Sequence, residues 1–447
     1  MFATFDLDFL ASATSAEAAH AQVERMLEVI LKIPRLEALS IAISRPYLAS
    51  EAQADLLLYE ALRYLTCVVN VDIHYEPFLG VGEDRSEKAK ELYHRRLQVP
   101  QYNIEAAPPL LRSLILQNST RIRVGAQRAR WEGLLNSWRK DARVPIVVLS
   151  IDGRAVQNDE HSLVPAGTPF RLTIENAKSL AGMEIRWKAV VPANKEYNLT
   201  GRRQGFAEDA PRYLRYRDVP VEAANGRTKI DGVLLMPFFD KRTGLGVLRI
   251  YGEASGGNET YVSNVVAFSR FQGDGYVGKL TEIFNLPYVY GSAFIRVGAS
   301  ASADARLGAD CSHFIIYGRR REGWMVPYVN PKDLLPYLEE LEEVRGLRDG
   351  IAYGAQGPIP ITPELLNRGL LLHFGNHIGA VYADANGRGV LQAETPVVHQ
   401  LGGCPEITTF GAMAAKYKHI RVMTWGGCGR ATAEEPGLPR PGEGCIP

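Results

Sequence analysis

The spacing of hydrophobic positions changes along this chain and divides it into stretches of different texture. In residues 1–143 helical patterns alternate with short β-branched runs. Ser15–Ile33, with Ala18, Val23, Met26, Leu27 and Ile30 as its apolar members, predicts a helix, as do Gln53–Leu65, Glu87–Leu97 and Pro109–Leu116. Leu39–Ser44, Cys67–Tyr75 and Thr120–Gly125 predict strands between them. Strands alternating with helices predict parallel pairing, so this stretch reads as an α/β domain or the remnant of an α/β barrel.

From 144 to 271 the period becomes two. Pro145–Gly153 ends in an Asp-Gly turn, Phe170–Glu175 and Glu184–Val191 alternate cleanly, and Gly232–Met236, Gly246–Gly252 and Tyr261–Phe271 complete the set. Short strands at this spacing predict an antiparallel β-sandwich. From 272 to 427 the two periods mix. Helices are expected at Val277–Phe284, from Cys311 to about Arg321, and at Pro363–Leu366, with the Leu- and Glu-rich Pro331–Val344 between the last two. Strands are expected at Leu370–Phe374, His377–Ala383, Gly389–Ala393, Pro396–Leu401 and His419–Trp425. Residues 428–447 form a Gly/Pro-rich tail. The whole reads as a multidomain α+β chain.

Composition narrows the picture modestly. With 447 residues, 46% hydrophobic and 23% charged, the chain is long enough for two to four packed domains. A formal net charge of +1 gives no reason to expect nucleic acid or an anionic membrane as partner. No run of apolar residues is long enough to span a bilayer. Met1–Asp6 lacks a basic segment followed by an apolar core, so no signal peptide is visible; the protein stays inside, or its true start lies upstream. The five cysteines, at 67, 311, 404, 428 and 445, match no zinc spacing. Cys428 and Cys445 flank the tail and either pair in an oxidising compartment or stay free.

Candidate chemistry concentrates at Gly308-Ala309-Asp310-Cys311-Ser312-His313. Asp310 suits a helix N-cap, which puts Cys311 in the first turn, where free N–H groups and the helix dipole favour a thiolate. A lone cysteine is most often buried and inert. A histidine heading a strand-like run, His377, and a second polar ring in a later run, His399, change that reading, because an attacking thiolate needs a base and the base a partner. His373 reads as packed and satisfied. His313 is two residues past Cys311 and packs or caps. Arg319, Arg320 and Arg321 read as a solvated face or as partners of the helix C-terminus. Asp72, His74 and Glu76 would share a strand face and could ligate a metal, but no partner motif accompanies them and a solvated face is the plainer reading.

Together these residues resemble the NlpC-like cysteine peptidases of bacterial cell-wall turnover, over the last third of the chain. Pro287-Tyr288-Val289-Tyr290-Gly291 is similar to the aromatic segment of that family, Ala309-Asp310-Cys311-Ser312 to its nucleophile motif, His377-Ile378-Gly379 to its base motif, and Val397-Val398-His399 to its third-residue strand. The resemblance implies a papain-like C-terminal domain with Cys311 as nucleophile, His377 as general base and His399 as orienting group. Gln392 is the rival for that last role. It also implies Tyr288, with Asp310 and Ser312, as oxyanion or substrate contacts, and no metal or organic cofactor. The implied substrate is a peptidoglycan stem peptide, hence a periplasmic or extracellular location. His313 stands where the family has Gly, and the run after the aromatic segment is Gly291-Ser292-Ala293 rather than two glycines. Two other readings stand beside the peptidase: a non-catalytic cell-wall or protein-binding scaffold with a degenerate papain-like domain, and an acyltransferase using the same Cys–His pair.

Overall fold

The computed structural model describes residues 143–426, except 157–160, 199–209, 212, 213, 215, 258, 293–295, 298 and 299. Of the first 142 residues it describes 2–6, 18, 21–23, 25, 26, 38–43, 51–65, 70–74, 109–117, 122–124, 135 and 137. The expected helix at 87–97, Cys67, Glu76 and the tail from 428 lie outside the described residues. Among the described residues the fold is mixed α+β, mostly strands, in several sheets and with no barrel. Among the described residues no helix is long and apolar enough to cross a membrane.

At the N-terminus, Phe2–Asp6, Ala38–Ala42, Asn70–His74 and Ile122–Val124 lie side by side in that order, all parallel. Leu39, Ile41, Val71 and Ile73 are fully buried, as are Ala54, Leu57, Leu58, Ala61 and Leu62 of the helix Glu51–Leu65. The helix buries the i, i+3, i+4 stripe its sequence carries. Phe2–Asp6 is a fourth strand beyond the three expected, and among the described residues these four strands do not close into a barrel.

Residues 147–271 form two sheets about one core. The larger runs Tyr216–Pro220, Glu184–Pro192, Gly246–Gly256, Val266–Phe271, Ser162–Pro165; the smaller runs Lys229–Asp231, Phe170–Ile174, Val147–Ile151, Arg154–Ala155. Val147, Leu149, Leu172 and Ile174 from the smaller sheet meet Ile185, Trp187, Leu248, Ile250 and Phe268 from the larger. The pairings are antiparallel except one: Ser162–Pro165 runs parallel to Val266–Phe271. Two expected strands differ. Gly232–Phe238 is a 3-10 helix, not a strand. Its run Val233–Met236 does not alternate, Val233 is 73% exposed, and Pro237 has no N–H for a ladder. Tyr261–Phe271 is two strands, Glu259–Val262 and Val266–Phe271. Between them Asn264 accepts from the Val147 N–H at 2.8 Å and donates to the Val147 carbonyl at 2.9 Å, so a side chain replaces a ladder rung.

The C-terminal sheet is antiparallel and six-stranded. Its order is Leu338–Glu343, Arg421–Trp425, Leu370–His373, Ile378–Val381, Pro396–His399, Glu406–Thr409. Period-two alternation splits its faces. Leu371, Ile378, Ala380, Val398 and Met423 pack with Phe314 and Ile315 of the helix Cys311–Arg321 and with Tyr276 and Leu280 of the helix Tyr276–Leu280. Leu370, Leu372, Val381, Val397 and Val422 pack with Phe410, Met413, Ile359 and Ile361. Gly389–Ala393 is not a strand of this sheet. Val390 and Gln392 make only isolated bridges, to Pro360 and Ile351, and the Gln392 N–H donates to Thr395 Oγ1 at 2.9 Å.

The shift in texture near 272 is bridged by close packing. Leu245 and Val247 belong to the same buried core as Tyr276 and Phe314. Glu196–Asn198 pairs in parallel with Tyr288–Tyr290. Asn285 accepts from the Val247 N–H at 2.6 Å and donates to the carbonyls of Val247 at 2.7 Å and Phe238 at 3.0 Å.

Candidate active site

The site begins where the Tyr288–Tyr290 strand meets the entry to the Cys311–Arg321 helix. The Val289 N–H donates to the Ala309 carbonyl at 2.9 Å and the Ala309 N–H to the Pro287 carbonyl at 3.3 Å. That approach requires Gly308: its φ is +154°, and a Cβ there would stand 2.4 Å from Val289 Cγ2. Asp310 caps the helix, accepting from the His313 N–H and from Ser312 Oγ, each at 3.0 Å.

Behind the cap lies a buried polar group. Ser292 Oγ donates to Asp310 Oδ2 at 3.1 Å and bonds His313 Nδ1, while the His313 ring meets Tyr328 edge-on with centroids 4.8 Å apart. Ser292 is 0% and His313 3% exposed. His313 thus both packs and helps cap.

Cys311 is the first helical residue and is 6% exposed. Burial, then the Asp310 carboxylate, push its thiol pKa up; the amides of Ile378, Ser312 and Cys311 itself pull it back in part. The amide of Ile378 therefore faces the sulfur, and Ile378 follows His377 directly. The phenol of Tyr288, 3% exposed, is pushed up by burial first and then by Cys311 and Asp310. Ser312 is buried with its hydroxyl committed to Asp310.

His377 sits at the head of the Ile378–Val381 strand, its carbonyl accepting from the Phe374 N–H at 2.8 Å. Its ring is 3% exposed. Nε2 lies 3.2 Å from His399 Nδ1, and Nδ1 is buried without a hydrogen-bond partner. His399, set opposite Gly379 in the sheet, turns its Nε2 towards Glu406 Oε1 at 3.5 Å. One arrangement of protons satisfies both rings: His377 donates from Nε2, His399 from its own Nε2 to Glu406, and His377 Nδ1 keeps a bare lone pair. Burial first, then His399, Lys416 and His373, hold the His377 pKa down at about 3, so the ring is neutral at neutral pH. Burial thus works against the thiolate–imidazolium pair that the helix N-terminus favours.

Gln392 is kept apart from this chain of rings. Its Oε1 accepts from Asn386 Nδ2 at 3.4 Å, and no described hydrogen bond joins it to His377. His373 is buried with Nε2 3.0 Å from the Pro331 carbonyl. Nothing is described of the side chains of Asp72 and His74.

Sequence reasoning missed two residues. Tyr417 stacks on His377 with centroids 5.8 Å apart and on Phe374 at 4.6 Å, and its phenol is pushed up by burial and by Cys311. It comes from the end of the helix Phe410–Lys416, which no periodic run announced. Glu406 lies opposite His399 across the turn at Gly402-Gly403, and that glycine pair beside an apolar run was the available hairpin signal. Comparison with protein families, with curated proteins and with solved structures finds no match for this chain.

Proposed function

We propose that the chain is a cysteine hydrolase of amide bonds, with a C-terminal unit of papain-like arrangement beside a β-sandwich module. One observation carries the reading: His377 holds one ring nitrogen on His399 and leaves the other buried and unbonded, on the strand whose first amide faces the Cys311 sulfur. A base oriented by a third group next to a cysteine at a helix N-terminus is what nucleophilic catalysis needs.

In this reading His377 Nδ1 takes the thiol proton as Cys311 Sγ bonds the amide carbonyl carbon. The amides of Cys311 and Ile378, which act on the sulfur in the free protein, stabilise the developing oxyanion. His377 then protonates the leaving nitrogen as the C–N bond breaks, and a water, deprotonated by His377, releases the acyl group from sulfur as a carboxylate. The resemblance to NlpC-like peptidases makes a peptidoglycan stem peptide the substrate and the periplasm or cell exterior its place. Incubating the protein with peptidoglycan fragments and following amine release tests it. Cys311→Ala should abolish release while leaving the thermal melt intact; release by Cys311→Ala equal to wild type would falsify the assignment.

A second reading, a degenerate papain-like unit that binds and does not cleave, draws on the 6% exposure of Cys311 and its raised pKa. A small electrophile separates the two readings. Labelling of Cys311 that disappears in His377→Ala favours the hydrolase, and equal slow labelling in both favours the scaffold.

A further inference from the structure

The far end of the Cys311–Arg321 helix, about 15 Å from the cysteine by the rise of its turns, holds a second built feature. A recess of about 210 Å³ opens there, lined by Asp304, Arg306, Arg320 and Arg321 with Tyr317, Trp324 and Met325 among its walls. The arginines are neither a solvated face nor simply partners of the helix end. Glu282, 0% exposed, accepts from Arg321 Nε at 2.9 Å, from Arg306 Nη2 at 3.3 Å and from the Tyr317 hydroxyl at 2.7 Å. Asp304 takes Arg320 at 3.0 Å and the Tyr328 hydroxyl at 2.7 Å.

The charges around this cavity do not balance. Three guanidiniums line it and two carboxylates answer them. A fourth guanidinium, Arg249, stands just behind, its Nη2 donating to the carbonyls of Ala305 and Arg306 at 3.1 and 2.8 Å. Arg306 itself carries two unusual features. Its backbone is left-handed, with φ +54°, a conformation that a side chain disfavours and that the surroundings must enforce. Its Nε is buried with no hydrogen-bond partner. The positive field reaches a neighbour: desolvation first, then Arg306, Arg249 and Arg321, hold the pKa of half-buried His161 down at about 2, so His161 adds no charge of its own.

We propose that this cavity binds a small oxyanion, a phosphate or a carboxylate, against Arg306 and Arg321. Both sources share the chemistry that guanidinium groups recognise, paired oxygens with negative charge. Trp324, over which Arg319 stacks at 3.9 Å, and buried Tyr317 form walls of the recess. The site stands apart from the catalytic reading, since no described hydrogen bond or ion pair joins its residues to Cys311 or His377.

Calorimetric titration of the full chain with inorganic phosphate, and separately with acetate, at ionic strength held constant with chloride, tests the proposal. Saturable binding of either anion is expected, weakened at least tenfold in Arg321→Gln. Arg321 also answers buried Glu282, so a second variant separates binding from folding. Met325→Glu brings a carboxylate into the cavity without removing an ion pair, and should abolish binding in a folded protein. Binding of phosphate alone identifies a phosphoryl source, and binding of acetate identifies a carboxylate such as a peptide terminus. No saturable heat with either anion, or full binding in Met325→Glu, overturns the proposal. Cys311→Ala should bind the anion as wild type does.

Discussion

At neutral pH the buried His377 ring carries no charge, and pH acts on it with a definite sign. Its folded pKa lies near 3 and its unfolded pKa near the ordinary 6.5. Between those values the unfolded chain holds a proton that the folded chain does not, so folding stability is full above about pH 6.5 and is lost as pH falls towards 3. One such group contributes a slope of up to about 1.4 kcal/mol per pH unit in that window. Urea midpoints at pH 4.5 and pH 7 for wild type and His377→Gln measure it; a variant with an undiminished pH dependence contradicts the buried neutral ring. The orienting role is separable from stability. His399→Ala should lower turnover by roughly two to four powers of ten with little change in KM, on the scale of triad substitutions. Gln392→Ala should stay near wild type, because Gln392 bonds Asn386 and not His377. Parallel kinetics of the two decide, and a crippled Gln392→Ala with an active His399→Ala reverses the assignment. Glu406 and Tyr417 were illegible as site residues, since their roles depend on which strands pair and where a short helix ends.

Among the elements, the helix Cys311–Arg321 was the most legible, because an Asp before an apolar run is a local signal. Its cap matches that signal, with Asp310 bonded to the His313 N–H at 3.0 Å. What fixes the helix laterally was not local. Gly308 has to let the Tyr288–Tyr290 strand approach, and Ser292 ties Asp310 to His313 from another segment. Gly308→Ala should therefore cost about 1–3 kcal/mol, combining a disfavoured φ with a clash against Val289. It should also lower turnover more than binding, since the helix carrying Cys311 must shift. A thermal melt and kcat measured together test this, and an unchanged melting temperature would count against the close approach. Gly389–Ala393 taught the reverse: an apolar run between turn residues read as a strand, yet its backbone bonds the segments 350–352 and 359–361 and joins no strand of the six-stranded sheet. Short apolar runs carry no information on which neighbour will supply the hydrogen bonds.

Over the whole molecule, residues 144–427 share packing across the shift in texture at 272. Asn285 makes three hydrogen bonds from one loop to Val247 and Phe238. Asn285→Ala leaves the Val247 N–H and two carbonyls without that partner and should cost about 2–4 kcal/mol, from the usual penalty for unmet buried groups. A chain of residues 144–427 should melt in one cooperative step, whereas one starting at 272 exposes the faces of Tyr276 and Ile283 that meet Leu245 and Val247. Calorimetry of both checks this, and a cooperative melt of 272–427 equal to that of the longer chain would refute the coupling. The sequence by itself determined the mixed α+β class, the strand-rich centre, the helix starting at Cys311 and the runs bearing His377 and His399, because period, capping and turn chemistry act over a few residues. The tertiary structure alone decided that His377 meets His399 and not Gln392, that Tyr417 covers the ring, that the arginines of the helix end surround a cavity, and that burial leaves Cys311 and His377 uncharged. Each of these depends on which distant segments exclude water from a common space, and no local pattern encodes that.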